Sequence, residues 1–450
     1  MLVSNRLKMS ASLALLNLSA WVRRQSWLRA AYRYLPTAWR NRFSEVTVSH
    51  VSQQIRFQRS SNWRSAAASA PLQQDGAAAT QAFGRNAGVN VYANIRGQFG
   101  LAESARAYIR ALLAEGYPVA VFDVPLDIPH SMGDASLEPY MGEAAPYDVN
   151  LIFINPDYLD EAAKNIGHGR LSGGYTIACW FWELESFPNE WLPAIQKVDE
   201  IMVSSGFVRG VIESVTDKPV LSVPLPVGGV EDSGLTRSDF GLGGDTFVFL
   251  NSFDFNSSLA RKNPYAAIDA FCRAFPDKRT NVCLLIKSSN GHRYPEMLRA
   301  LLNAAASDNR IMIRDDIIGR GDMQALQRCV DAYVSLHRSE GFGLGLAECM
   351  RLGKPVIATA WSGNMEYMTR DNSCLVDYQL IPVNEGEYVH HTGQRWADPS
   401  VDQAAAYMSR LVEDREFAAG IGEQAAVDIS EKLSPHIAAQ RIIQRLNALA

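Results

Sequence analysis

Two carboxylates, Glu340 and Glu348, stand with seven residues between them on either side of a glycine-rich turn, Gly341-Phe342-Gly343-Leu344-Gly345. Ala332 to Leu336 ahead of the turn is a short apolar run of strand character, and Leu344 to Leu352 beyond it has helical spacing, so a strand passes through a tight turn into a helix. The open N–H groups and positive dipole end of such a helix start favour an anion, and the glycines let a phosphate approach the backbone. The plain alternative is one loop carboxylate and one solvated helix carboxylate. Arg261 and Lys262 precede a second predicted helix start, Asn263-Pro264, with Asn as cap and Pro at the first position. A guanidinium fork and an ammonium point charge there suit a diphosphate. Lys287, at the end of the apolar run 282–286, either reaches the same phosphates or is a solvated lysine.

A similar junction lies earlier in the chain. Val89 to Ala93 reads as a strand, Arg96-Gly97-Gln98-Phe99-Gly100 as a turn and Leu101 to Glu115 as a helix, which makes Gly97 and Gly100 candidates for contact with a phosphate. In Cys179-Trp180-Phe181-Trp182-Glu183-Leu184-Glu185, aromatic faces alternate with carboxylates. Rings at Trp180 and Trp182 suit the C–H face of a sugar, and Glu183 and Glu185 its hydroxyls; core tryptophans are the other reading.

The Glu-x7-Glu pattern, followed by Gly353-Lys354-Pro355-Val356-Ile357-Ala358 and Ser362-Gly363-Asn364-Met365-Glu366, resembles the nucleotide-sugar site of family-4 retaining glycosyltransferases of the GT-B fold. The Trp-x-Trp-Glu-Leu-Glu string also resembles the acceptor domain of a bacterial polysaccharide branch, of mannosyl- or hexosyltransferase type. That resemblance implies two facing Rossmann-like domains, with donor nucleotide on the second and acceptor on the first. Glu348 would then bind the ribose, and Glu340 would meet the transferred sugar. Gly341, Phe342, Gly343 and Leu344 would offer backbone N–H groups, and Lys262 with Arg261 would balance charge on the departing diphosphate. Trp180, Trp182, Glu183 and Glu185 would face the acceptor cleft. The family's usual Arg about five residues before the Lys is Ser257 here, so either Arg261 substitutes or one cation is missing. The donors implied are GDP-mannose or a UDP-hexose, with a saccharide or lipid-linked acceptor, no separate cofactor and no metal. A non-catalytic sugar-nucleotide scaffold and an epimerase on the same fold remain alternatives.

The elements that must position these residues alternate as strands and helices, which argues for an α/β fold with parallel sheets covered on both faces. Strands are expected at 119–124, 149–155, 175–181, 200–204, 220–223, 246–251, 310–313, 331–336, 355–359 and 374–376. Ser252 to Arg261 is expected as a loop, and Pro399 to Arg410, Glu416 to Ile429 and Pro435 to Leu449 as helices. At 450 residues the chain suits two domains, 87–230 and 245–430, with a glycine-rich hinge between them and a C-terminal helix, 431–450, that by resemblance returns to the first domain.

Residues 1–64 carry eleven Lys and Arg against the single Glu45, leaving the rest of the chain at −15 within a total of −5. An acidic body argues against nucleic-acid binding. The basic extension, rich in Trp and Tyr, reads as amphipathic helices on an anionic membrane or as a packing arm, and 65–86 as a flexible linker. Six dispersed cysteines with no Cys-x-x-Cys pair, and the lack of a membrane-length apolar run, fit a cytoplasmic chain that touches the inner membrane face peripherally. Asp315-Asp316 is too tightly spaced to share a metal, and His337, His390 and His391 read as surface or core residues.

Overall fold

The computed structural model describes residues 87–449 except 129, 172 and 229–231. The expectations for the basic extension 1–64, the linker 65–86 and part of the hinge lie outside the described residues. The first sheet consists of β1 (Val89–Ala93), β2 (Val119–Asp123), β3 (Val149–Phe153), β4 (Tyr175–Cys179), β5 (Glu200–Val203) and β6 (Val220–Ser222), all parallel in the order β2-β1-β3-β4-β5-β6. The second consists of β7 (Phe247–Asp254), β8 (Val282–Ser289), β9 (Ile311–Asp315), β10 (Ala332–Ser335), β11 (Val356–Thr359) and β12 (Cys374–Val376), also parallel, in the order β12-β11-β10-β7-β8-β9. Counted from β7, that second order is the dinucleotide-fold order 3-2-1-4-5-6. Runs such as Val248-Phe249-Leu250 and Leu284-Leu285-Ile286 have both faces covered, and so they lack the alternation of a half-exposed strand.

The order in which successive strands are added switches sides between β1 and β3 and between β7 and β10, and ligands of open α/β sheets collect at the carboxyl ends of such neighbours. From these ends leave the helices that frame the site: α1 (Gly100–Ala114) after β1, α2 (Gly206–Glu213) after β5, α3 (Leu259–Lys262) and α4 (Pro264–Ala274) after β7, α5 (Arg320–Cys329) after β9 and α6 (Leu344–Arg351) after β10. Helices α7 (Val401–Glu413), α8 (Arg415–Lys432) and α9 (Pro435–Asn447) follow. Helix α9 lies on α1, where Ala438, Ala439, Ile442, Ile443 and Leu446 are buried in the same apolar cluster as Ala105, Tyr108 and Leu112.

Three local expectations need correction. An antiparallel hairpin, β13 (Tyr378–Pro382) and β14 (Arg395–Pro399), was not anticipated, and Pro399 ends its second strand instead of opening a helix. Its strands are half exposed and carry Gln379, Arg395 and Asp398, so no buried apolar run marks them. The supposed loop 252–261 is strand to Asp254, a single helical turn at 255–257 and then α3. Asn263 makes no side-chain cap bond; it sits at φ 47° in the left-handed region and ends α3 as α4 begins.

Candidate active site

Glu340 and Lys262 come together from the ends of β10 and α3. Lys262 Nζ donates to Glu340 Oε1, and Arg261 Nη1 reaches Glu340 Oε2 at 3.2 Å and Ser339 O at 2.8 Å. Arg261 Nε donates to Ser257 O at 3.2 Å, so where the family pattern has a cation at 257 this chain offers a carbonyl that orients Arg261. Burial opposes the ionised form of Glu340, but Lys262, Arg261 and His337 outweigh it and hold the carboxyl at about 2. Burial, followed by the adjacent Arg261, lowers Lys262 from its ordinary value despite Glu340. Ser258 and Asn263 bracket the two cations at φ 67° and 47°. Residues held in that region cluster at functional sites because the surrounding structure must offset their strain.

The turn after Glu340 is built by close backbone approach. A Cβ on Gly363 would stand 2.0 Å from Gly341 O, and Gly363 N–H donates to Glu340 O at 2.8 Å. Gly343, at φ 88°, caps α6. Phe342 is a core residue, 3% exposed, whose carbonyl accepts from Tyr367 Oη. Leu344, Gly345 and Glu348 line a cavity of about 260 Å³ between the domains, which is also lined by Gln98, Phe99 and Gly100 at the start of α1 and by Ser252, Asp254 and Lys287. Gly100 therefore meets this cavity. Gly97 does not line it; its role is the turn itself, since a Cβ there would meet Asn94 Oδ1 at 2.3 Å. Lys287 is buried, with its ammonium donating to Ser288 O at 2.8 Å and to Asp316 O, which excludes the solvated reading. Glu340, Lys262 and Arg261 are outside the cavity lining.

The aromatic segment 180–185 is placed differently from expectation. Trp180 and Trp182 are 1% and 2% exposed, packed against Phe187 and Trp191, and neither offers a ring face to a saccharide. The reason is that the segment itself forms the contact between domains. Ser339 Oγ donates to Glu183 O, Gln394 Nε2 to Ser186 O at 2.9 Å, and the carboxylate of Glu185 is taken by Arg395 of β14 at 3.2 Å. Glu183 is held by Tyr388 Oη at 2.7 Å and lies 3.6 Å from Arg261, so it joins the cation cluster.

Several residues with no motif to mark them in the sequence support the site. Arg106, 1% exposed, donates to Ile95 O at 2.6 Å and Gly97 O at 2.7 Å, clamping the first glycine turn, and pairs with Glu103 at 2.7 Å. The signal was there, a Glu and Arg three apart in the helix that opens at Gly100. Ser205 Oγ, at the cap of α2, donates to Gly341 O at 2.7 Å across the domain boundary. Arg320 pairs with both Glu348 and Glu103, and only tertiary structure joins those three positions. Asp315 accepts from Ser288 Oγ at 2.9 Å and Gly291 N–H at 3.1 Å, and Asp316 pairs with Arg314, so each has its own partners. Among the described residues no group of three or more His, Cys, Asp or Glu is placed to hold a metal, and no helix is long and apolar enough to cross a membrane.

Residues 255–393 match the family of group 1 glycosyl transferases. A curated relative, the trehalose synthase of Rubrobacter xylanophilus, is 24% identical over 168 residues, 36% of this chain and 35% of its own length. This match spans about a third of that relative. Among solved structures, sucrose-phosphate synthase from Thermosynechococcus elongatus superposes with a TM-score of 0.58 at 15% identity, covering 81% of this chain and 99% of that one. A glycosyltransferase from Rickettsia africae gives 0.57 at 13% identity, with 81% and 99% covered. Anabaena HepE in complex with UDP and glucose gives 0.56 at 16% identity, with 80% and 100% covered. With its two parallel Rossmann-like sheets, the chain has the GT-B fold.

Proposed function

We propose that this protein is a retaining glycosyltransferase that moves a hexose, mannose or a similar sugar, from a nucleotide diphosphate sugar to a saccharide or lipid-linked saccharide in bacterial surface polysaccharide synthesis. The match of residues 255–393 to group 1 glycosyl transferases supports the reaction class. The observation that carries the reading is the cavity between the domains, lined from one side by the Gln98–Gly100 turn and from the other by Gly345, Glu348 and Lys287, with the Glu340–Lys262–Arg261 cluster next along the turn.

Glu348 accepts from the ribose hydroxyls, and the start of α6 with Gly100 faces the diphosphate. As the bond from sugar to phosphate breaks, positive charge grows on the anomeric carbon and negative charge on the leaving oxygen. Glu340 stabilises the first. Lys262, paired with Glu340 here, turns to the second, and Arg261, held in place beside Glu340, adds its positive charge to the same end of the site. The acceptor hydroxyl attacks from the face the diphosphate leaves, and the leaving phosphate oxygen takes its proton, so no protein nucleophile is needed. Contacts of segment 180–187 with Tyr388, Gln394 and Arg395 of the β13–β14 hairpin cover this side of the cluster and would keep water from this step.

HepE is in complex with UDP, which makes UDP the first nucleotide to try, beside GDP. A ligand at a hundred times its dissociation constant stabilises by about 2.7 kcal/mol. UDP or GDP compounds raise the melting temperature of the wild type and not of Glu348→Ala; equal shifts in both, or none, remove the ribose assignment. Labelled sugar moving to an acceptor, not remaining on nucleotide, separates transfer from epimerisation or simple binding. A lipid-linked acceptor at the cytoplasmic membrane face belongs to the same proposal through the basic residues 1–64; unchanged liposome binding after their deletion removes that part.

A further inference from the structure

Arg320, at the start of α5, stands between two buried carboxylates of different domains. Its Nη2 donates to Glu348 Oε1 in the second domain, and its Nε lies 3.2 Å from Glu103 Oε1 on α1 of the first. Glu103 and Glu348 are 5% and 6% exposed, and all three residues line the cavity between the domains. The other oxygen of Glu348 accepts from Gln327 Nε2 at 2.9 Å, which fixes the plane of the carboxylate. Glu103 is anchored in its own domain by Arg106 at 2.7 Å and Arg110 at 3.2 Å. The Arg320 Nε–H is buried and makes no hydrogen bond, although it is within ion-pair distance of Glu103, so the cation is shared unequally between its partners.

We propose that Arg320 is a positioning residue that straps the donor carboxylate Glu348 to Glu103 of the first domain, so that domain closure and donor affinity rise together. Each carboxylate oxygen has two lone pairs, so Glu348 can keep Arg320 and Gln327 while it receives a ribose diol. Without Arg320 nothing ties the two carboxylates across the cavity, since Arg106 and Arg110 hold Glu103 from its own domain, and the attraction that draws the domains together at this point is lost. Burial works against ionised Glu103, but Arg320, then Arg106 and Arg110, outweigh it and hold its carboxyl at about 2. The strap is therefore charged throughout the neutral range. The affinity half of this inference rests on Glu348 being the donor carboxylate; the closure half does not.

The test is a double-mutant cycle on the full chain, with UDP and GDP affinity by calorimetry and the radius of gyration of the unliganded protein by small-angle scattering. Arg320→Met weakens the nucleotide that binds by about tenfold or more and enlarges the radius, the scale expected for one charge-assisted hydrogen bond. Glu103→Gln acts in the same direction, and the double variant is no worse than Arg320→Met. Arg320→Lys keeps the charge but cannot span both carboxylates, so it recovers part of the affinity while the effect of Glu103→Gln disappears. Independent, multiplying effects, or Arg320→Met within twofold of wild type with an unchanged radius, overturn the strap. If neither nucleotide binds the wild type, the donor-site reading fails separately, and the radius alone decides: an unchanged radius in Arg320→Met overturns the strap and a larger one supports it.

Discussion

Lys262 carries the largest single effect expected at the site, because its ammonium can leave Glu340 for a leaving diphosphate while Arg261 stays pinned by Ser257, Ser339 and Glu340. Lys262→Ala lowers turnover by on the order of 10² to 10³, the scale for one preorganised donor, and steady-state kinetics with a donor in excess read this directly. Turnover within threefold of wild type removes the role. The same charges set an acid limit. Glu340 and Glu103 sit at about 2 in the folded chain against an ordinary 4.5. A carboxyl lowered on folding contributes stability above its unfolded value and loses it as pH falls through the folded one. Each contributes on the order of 3 kcal/mol at neutral pH. Melting temperature is therefore level across the neutral range as far as these groups go, then falls from about pH 5 towards pH 2; the Glu340→Gln variant, less stable at pH 7, shows a shallower acid limb. His337, fully buried with neither ring nitrogen hydrogen-bonded and held at about 4 by burial, is neutral at pH 7.

At the scale of elements, the two glycine junctions differ in what their glycines do. At the second, backbone meets backbone: the 2.0 Å approach of a Cβ on Gly363 to Gly341 O leaves no flexible group to give way. Gly363→Ala therefore moves the main chain around Glu340, and we expect a loss of about 1–3 kcal/mol by chemical denaturation, together with loss of transfer activity. At the first, a Cβ on Gly100 meets nothing within 4 Å, so Gly100→Ala leaves stability within about 0.5 kcal/mol. Its nucleotide affinity then reports on crowding of the cavity that Gly100 lines, and a tenfold loss there places a ligand against this turn. Both junctions were legible as strand, glycines, helix. What the sequence could not show was which glycines line the cavity and which face their own chain, because that depends on segments hundreds of residues apart in places. The alternation of strands and helices was legible for the same reason the core is stable, namely continuous apolar runs buried on both faces. The hairpin β13–β14 was not, since its stability comes from partners such as Ser186 and Glu185 in the other domain. Trp180 and Trp182 read either way for a related reason: a ring suited to a sugar is equally suited to a core, and packing on Phe187 and Trp191, with Tyr388 of the hairpin loop against Trp182, puts both in the core.

At the scale of the molecule, one of the apolar clusters runs across the domain boundary. This buried cluster takes in Val91 and Leu151 of the first sheet, Val223, Leu225, Val227, Phe240 and Leu242 of the connection, Leu250 and Val356 of the second sheet, and Ile442, Ile443 and Leu446 of α9. The last helix thus belongs by sequence to the second domain and by packing to the first. Its charges follow the same division: Arg445 reaches the buried Glu200 of β5 at 2.7 Å, and Gln440 and His436 reach Glu115 beyond α1 at 2.9 and 2.8 Å. Removing residues 434–450 would expose the face of α1 that carries Ala105, Tyr108 and Leu112 and strip Glu200 of its cation. Three buried Ile and Leu side chains alone are worth on the order of 5 kcal/mol, comparable to the whole stability of a domain. The truncated chain should therefore lose cooperative unfolding in the first domain while the second keeps its own core around Phe249, Phe271 and Leu284. Differential scanning calorimetry would then show one transition where the full chain has either one larger transition or two. An unchanged thermogram would mean that α1 is held by its own sheet alone, and that α9 is a passenger on the first domain and not part of its core.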